Sequence, residues 1–151
     1  MQWFKADMHI HTVLSPCGGL DMSPVNIIKE AVAKKLDIIA ITDHNSTRHC
    51  KVSQQIGEQY GITVLAVAVI NTKEEIHCLT FFENTDIADQ FQQYIDANLM
   101  LIPNKPEVFG HQFVVDAAEN ILEEENRLLI ASLQTGIDEI AEQVCLLGGI
   151  F

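Results

Sequence analysis

Short apolar runs alternate with helical patterns along the first half of this chain. Residues 6–11 alternate polar and apolar side chains as a strand does, whereas residues 36–42 and 62–70 are nearly continuous apolar runs, typical of strands buried in a parallel sheet. A fourth strand is predicted over residues 76–82. The spacing of apolar residues between these strands predicts helices, one opening at Ser23-Pro24 and one from about Thr47 to Tyr60. This order predicts an α/β protein built from parallel βαβ units.

The second half of the chain has weaker patterns. Thr85 is expected to cap a third helix, and a small hairpin is predicted around residues 118–120. Residues 126–133 fit a strand or a helix equally well. A last helix is predicted from Gly136 to the glycines that precede residues 150–151, which resemble the start of another strand.

Histidine and aspartate side chains stand at the ends of the first two predicted strands. In an extended strand Asp7, His9 and His11 point to one face, and His9 and His11 lie roughly 6–7 Å apart, so both imidazoles can reach one divalent ion or adjacent ions. Asp43 and His44 directly follow the second apolar run. Two strands that end in the same chemistry predict a metal site at the edge of the sheet.

Size and charge limit the possible functions. The chain has 151 residues with 48% hydrophobic content, which suits one domain with a real core, and it has no internal repeat or linker, so residues 1–151 are predicted to form a single domain. Lysine and arginine total 9 against 21 aspartate and glutamate, a formal charge of −12. No basic stripe is present, so polymeric nucleic acid is not expected as a partner. An anionic substrate would depend on bound cations.

The N-terminus, the apolar runs and the cysteine spacing indicate the cellular compartment of the protein. The N-terminus lacks the basic and apolar regions of a signal peptide, and no apolar run approaches the roughly 20 residues that span a bilayer. The four cysteines have no C-x-x-C spacing, so they are interpreted as reduced thiols, with disulfides as the minority alternative. We expect a cytoplasmic protein without a membrane partner.

Four stretches in order resemble the PHP (polymerase and histidinol phosphatase) family of metal-dependent phosphoesterases. They are Asp7–Thr12, Met22–Pro24, Leu36–Asn45 and Lys73–His77. The resemblance implies a distorted (β/α)7 TIM-type barrel that binds up to three divalent ions, Zn, Mn or Fe, at the C-terminal ends of its strands. The chain is expected to supply only the first part of that domain, which would leave the barrel incomplete.

The resemblance also implies roles for individual residues. His9 and His11 correspond to ligands of a first ion, His44 to a ligand of a second with Asp43 in its first or second shell, and His77 to a ligand of a third. The implied reaction is hydrolysis of a small phosphorylated metabolite or nucleotide by metal-activated water. Asp43 and His44 would be the catalytic pair.

Three departures from the family pattern support an alternative function. Val69 stands where a glutamate that bridges two ions is expected, and the loop after the first strand offers only Cys17, with Asp21 further along, instead of an aspartate or histidine ligand. The late ligands expected after residues 148–151 do not follow. The alternative is a degenerate or truncated PHP module that binds metal weakly and has a regulatory or assembly role.

Other polar residues have open interpretations. Arg48 follows the Asp43–Asn45 turn and could contact a phosphate, although an ordinary surface arginine fits as well. Cys17 is expected to be a bystander, Glu74 and Glu75 to be solvated, and His49 and His111 to be structural. Because an open half-barrel exposes strand edges, a second copy of the chain is expected to cover them, giving a homo-oligomer.

Overall fold

Four strands form one open sheet in the computed structural model, which describes residues 1–151. The strands lie side by side in chain order: β1 (Ala6–Ile10), β2 (Ile38–Ile41), β3 (Thr63–Asn71) and β4 (His77–Phe82). β1 pairs with β2 and β2 with β3 in parallel, as predicted for the first three strands. The sheet ends at β1 on one side and β4 on the other, so it does not close into the expected barrel.

The parallel βαβ arrangement predicted from the sequence does not extend to β4. β4 pairs antiparallel with β3, and its first residue, His77, lies opposite the last residue of β3, Asn71. Only five residues connect the two strands, whereas a parallel return needs a crossover of a dozen or more residues. The short connection therefore forces a hairpin.

Helices connect and cover the strands. Helix α1 (Pro24–Ala33) begins after Ser23, whose hydroxyl accepts a hydrogen bond from the Asn26 amide. Helix α2 (Cys50–Tyr60) begins three residues later than predicted and ends at Gly61, whose φ of 71° is the left-handed conformation that glycine favours. Helix α3 (Thr85–Asn98) is capped by Asn84 rather than by Thr85. No helix has the length and apolar character needed to span a membrane.

The second half of the chain contains a predicted hairpin and a last helix. After a single-turn helix, α4 (Pro106–Phe109), strands β5 (Phe113–Val115) and β6 (Ile121–Glu124) form the hairpin. Helix α5 (Ile137–Leu146) follows, and Ile150 makes one bridge to Phe81 of β4. Residues 126–133, which fitted either strand or helix, form neither, apart from isolated bridges.

The core lies where the helices meet the sheet. Alternate residues of β3, namely Val64, Ala66, Ala68 and Ile70, point to the same face. On that face one apolar cluster joins α1 and α2 to β2, and the other joins α3 and α5 to β3. The intervening residues Val69 and Asn71 therefore point to the opposite face, away from these helices.

Because of a bulge in β1, Asp7 does not point in the direction predicted from the sequence. The register between β1 and β2 shifts between Asp7 and Ile10, so these two residues line the same cavity beside α1. Asp7 was predicted to share a face with His9 and His11. Its carboxylate instead accepts a hydrogen bond from the His9 backbone, 3.2 Å away. Strict alternation fails because the bulge inserts an extra residue.

Candidate metal centre

Four histidines that are distant in sequence lie in a row at the end of the sheet where β1, β2 and β3 terminate and β4 begins. The ring centroids of His9 and His11 are 5.0 Å apart, those of His11 and His44 are 4.6 Å apart, and those of His44 and His77 are 5.2 Å apart. His9 and His11 come from the end of β1, His44 follows β2, and His77 opens β4. The structure therefore brings together all four histidines predicted as metal ligands.

His9 and His11 point their Nε2 atoms at each other. These two nitrogens are 3.1 Å apart, close to the separation of about 3.3 Å expected for two imidazoles on one tetrahedral ion. Ser15 donates its hydroxyl proton to Asp43, so towards His11 Nδ1, 3.3 Å away, its oxygen can only accept. The proton of His11 is therefore on Nδ1, so Nε2 is the acceptor towards His9 and carries the lone pair that a metal ion would bind.

Asn71 fixes the His44 ring in the same way. The amide nitrogen of Asn71 donates to the carbonyl of Ile130 at 2.6 Å, so its amide oxygen must face His44 Nδ1, 3.1 Å away. His44 Nδ1 therefore donates, and its Nε2 lone pair is free. Histidines that bind metals usually donate their second nitrogen to such an acceptor, which orients the ring.

Asp43 is buried, and hydrogen bonds saturate its carboxylate. It accepts hydrogen bonds of 2.7 Å from the amide and the hydroxyl of Thr12 and from the hydroxyl of Ser15. Burial raises the pKa of Asp43, but its contacts with the His49 ring, Ser15 and Thr12 outweigh this and hold the pKa below its usual value. These contacts suit a residue that supports the ligands, and direct coordination by Asp43 stays a prediction.

His49 completes this buried network. The amide of Val115 donates to His49 Nε2 at 3.0 Å, so the ring proton is on Nδ1, which lies 2.6 Å from the hydroxyl oxygen of Thr12. His49 therefore orients the hydroxyl that donates to Asp43. This agrees with the structural role expected for His49, although its position beneath Asp43 was not predicted.

The environment keeps the central imidazoles neutral. Burial, followed by the neighbouring His11 ring, lowers the pKa of His44 to about 4. Burial also lowers the pKa of His11, with smaller contributions from His9 and His77 and an opposing one from Asp43. At neutral pH both rings are unprotonated at Nε2, which is the form that binds a metal ion.

Cys17 lies beside two of these histidines. The ligand atoms of His11, Cys17 and His44 all lie within 4.8 Å of one another. No other group of three or more His, Cys, Asp or Glu residues has its ligand atoms this close together. Burial raises the pKa of the Cys17 thiol. Cys17 was interpreted as a bystander because sequence alone does not show how its loop folds back over β1.

Two residues discussed from the sequence do not provide ligands. Val69 is 1% exposed and follows the strand alternation of Asn71, so it points to the face that holds His44, with an aliphatic side chain that cannot coordinate a cation. Arg48 pairs with the carboxylates of Asp96, Glu123 and Glu125 at 3.2–3.6 Å. Its charge is thus already neutralised, and its contact with a phosphate stays a prediction.

Sequence reasoning missed Asn71 and Ser15, which set the protons of His44 and His11. Asn71 ends the third apolar run as a buried polar residue, and this position was the available signal. Ser15 belongs to a turn-rich loop whose path the sequence does not reveal.

No protein-family model matches the chain. The chain is 34% identical to an uncharacterized protein of Methanocaldococcus jannaschii, in a match that covers 55% of the chain and 53% of that protein. The chain therefore spans about half the length of this relative.

Two solved structures share the fold over 97% of the chain. One is the lesion-specific endonuclease PfuEndoQ of Pyrococcus furiosus, with a TM-score of 0.64, 17% identity and 33% of its length covered. The other is a proposed metal-dependent phosphoesterase of Bifidobacterium adolescentis, with a TM-score of 0.54, 21% identity and 51% of its length covered. The chain thus shares the mixed α/β fold of these two proteins.

Proposed function

We propose that this protein belongs to the PHP family and is a divalent-metal phosphoesterase that hydrolyses a small phosphorylated metabolite or nucleotide. The observation that carries the proposal is the row of His9, His11, His44 and His77 at one sheet edge. The similarity of fold to a proposed metal-dependent phosphoesterase supports it. The open sheet would then correspond to part of the distorted barrel that the family resemblance implies.

The donors fit a divalent ion. Neutral imidazoles suit Zn, Mn or Fe, and the Nε2 atoms of His9 and His11 lie 3.1 Å apart. His9, His11 and His44 would hold the metal, with His77 at the end of the row. A bound divalent ion supplies a water of lowered pKa and charge that stabilises phosphoryl oxygens.

The surrounding residues keep these donors in the form that binds metal. Asn71 and Ser15 hold the protons of His44 and His11 on Nδ1, and Asp43 fixes the loop that carries Ser15. We therefore propose that Asp43 is a positioning residue that acts through Ser15. His44 would act as a ligand at the reacting centre.

Charge explains why this site would depend on metal. The formal charge of −12 repels an anionic substrate, and three carboxylates already engage Arg48, the cation that could contact a phosphate. Bound cations would therefore supply most of the attraction for a phosphate.

Val69 supports a second candidate function, a degenerate PHP module with weak metal binding and a regulatory or assembly role. A buried valine supplies no bridging carboxylate for a second ion. Affinity falls with the number of ligands, so such a module would retain the fold without efficient turnover.

Metal analysis combined with a phosphatase assay separates the two functions. Purified protein would be loaded with Zn²⁺ or Mn²⁺ and assayed against p-nitrophenyl phosphate and nucleoside monophosphates. We expect His44→Ala to lower turnover by at least about 100-fold, because it removes a ligand whereas changes to supporting residues alone cost 10–100-fold. His111→Ala is the matched control, because His111 is half-exposed and contacts Glu124 away from the row.

Metal at one or more equivalents with turnover that His44→Ala abolishes would support the phosphoesterase. Absence of both bound metal and turnover would eliminate it. Metal binding without turnover on any of these substrates would favour the degenerate module.

A further inference from the structure

The loop after β1 folds back tightly, and this path places Cys17 at the histidine row. The Ser15 amide bonds to the Thr12 carbonyl at 3.1 Å, and the Gly18 amide bonds to the Ser15 carbonyl at 2.8 Å. A side chain at Gly18 would collide with the carbonyl oxygen of Thr12. Only glycine permits this close approach, so the loop has a defined path that fixes the position of Cys17.

The histidines beside Cys17 have nitrogens available for a ligand. His44 is 4% exposed, and its Nδ1 is committed to Asn71, so Nε2 is the nitrogen that remains for a ligand. His11 Nδ1 is likewise committed to Ser15.

The spacing of the three donors suits one ion. Their ligand atoms lie within 4.8 Å of one another, and ligands of a tetrahedral zinc ion lie about 3.3–3.8 Å apart. Small side-chain rotations would close this difference, because Cys17 is exposed and its side chain is short.

We propose that Cys17 is a thiolate ligand of the metal that His11 and His44 bind, so that the centre is a sulfur-containing site selective for Zn²⁺ over Mn²⁺. Binding forms a metal–sulfur bond and releases the thiol proton to solvent. Thiolates favour zinc, whereas manganese prefers oxygen donors. The proposal rests on the metal site of the proposed function and is independent of hydrolysis.

Cobalt spectroscopy tests the ligand directly. Metal-free protein would be titrated with Co²⁺, and thiolate-to-cobalt charge transfer would be read in the near ultraviolet, with visible bands reporting cobalt binding itself. We expect charge transfer at one equivalent in the native chain and its loss in Cys17→Ser. Cys145→Ser is the control on helix α5, and Cys78→Ser tests the cysteine next to His77.

Zinc affinity gives a second readout, measured by competition with a chromophoric chelator. We expect Cys17→Ser to weaken zinc binding by at least about 100-fold, more than the loss of a supporting residue costs. Cys17→Asp should bring the affinities for Zn²⁺ and Mn²⁺ closer together, since it replaces sulfur by oxygen. Far-ultraviolet circular dichroism of the metal-free variants would confirm that each is folded.

The possible outcomes separate this proposal from the proposed function. Charge transfer that depends on Cys17, or zinc binding that a folded Cys17→Ser variant loses, supports the thiolate ligand. Cobalt binding without charge transfer, or charge transfer that depends on Cys78, overturns the Cys17 ligand and leaves the histidine site standing. Absence of any metal binding by the native chain overturns both proposals.

Discussion

At the scale of single residues, acceptors around the row of histidines decide where each ring proton lies. Asn71 accepts from His44 and Ser15 accepts from His11, so both rings present Nε2 to the same region. Asp43 reaches the histidines only through Ser15 and the backbone. The chemistry of the row therefore depends on residues that hold the proposed metal ligands in place and are not ligands themselves.

Neutral, buried imidazoles make the stability of the metal-free protein depend on pH. The pKa of His44 is about 4 in the folded protein against an ordinary value of 6.5, so between these values the unfolded chain binds more protons. Stability should therefore fall as pH decreases from about 6.5 to 4. The pKa difference sets an upper limit of about 3 kcal/mol, which solvent screening reduces.

Urea unfolding with a chelator present, at several pH values, measures this effect. His44→Gln should reduce the slope between pH 6.5 and 4, whereas replacing the exposed, non-titrating Gln55 by alanine should leave it unchanged. A second loss is expected at lower pH, because the folded pKa of Asp43 lies below its ordinary value of 3.8. An equally steep slope in native protein and His44→Gln would contradict the assignment to His44.

At the scale of elements, the β3–β4 hairpin determines the composition of the row. A parallel β4 would have placed its first residue at the opposite end of the sheet, whereas antiparallel pairing sets His77 beside Asn71. The sequence predicted His77 through its motif but predicted the wrong strand direction. Apolar periodicity predicts where strands lie along the sequence, whereas the direction of a strand depends on the length of the connection before it. The short connection between β3 and β4 was the signal that the prediction did not use.

Close packing between α2 and the start of β3 depends on Gly57. A Cβ at Gly57 would lie 2.6 Å from a methyl group of Val64 and 2.8 Å from the carbonyl oxygen of Ile62. Overpacking of this kind costs about 1–3 kcal/mol, whereas alanine gains about 1 kcal/mol in helix propensity. We therefore expect Gly57→Ala to lower the free energy of unfolding by up to about 2 kcal/mol.

Chemical denaturation of Gly57→Ala beside Gln55→Ala tests this packing. Gln55 is exposed on the same helix, so its replacement should change stability by no more than about 0.5 kcal/mol. A Gly57→Ala variant more stable than the native chain would show that helix propensity outweighs the contact with β3.

At the scale of the whole molecule, the sequence predicted the first three strands and the convergence of their ends. It did not predict that the sheet stays open and ends in an antiparallel strand. The bulge in β1 and the loop that carries Cys17 depend on contacts between residues far apart in the chain, such as Thr12 with Asp43. Patterns of neighbouring residues do not encode such contacts. That residues 1–151 form a single domain stays a prediction, and so does the oligomeric state.

The free edge of β1 leads us to expect association with a second copy. β1 pairs only with β2, so its outer backbone groups have no strand partner, and Trp3, Phe4 and Met8 near this edge are 83%, 58% and 37% exposed. Such an edge is a template for pairing with another chain, and a lysine on it opposes that pairing. Met8→Lys should therefore shift the protein towards monomer.

Sedimentation velocity over a range of concentrations measures the shift. Leu101→Lys is the matched control, because Leu101 is 82% exposed and lies outside the sheet, so this variant should associate as the native chain does. A native chain that sediments as a monomer at every concentration would remove the reason to expect a partner at β1. Association that Met8→Lys leaves unchanged would place the contact elsewhere, since a buried charge at a paired edge is costly.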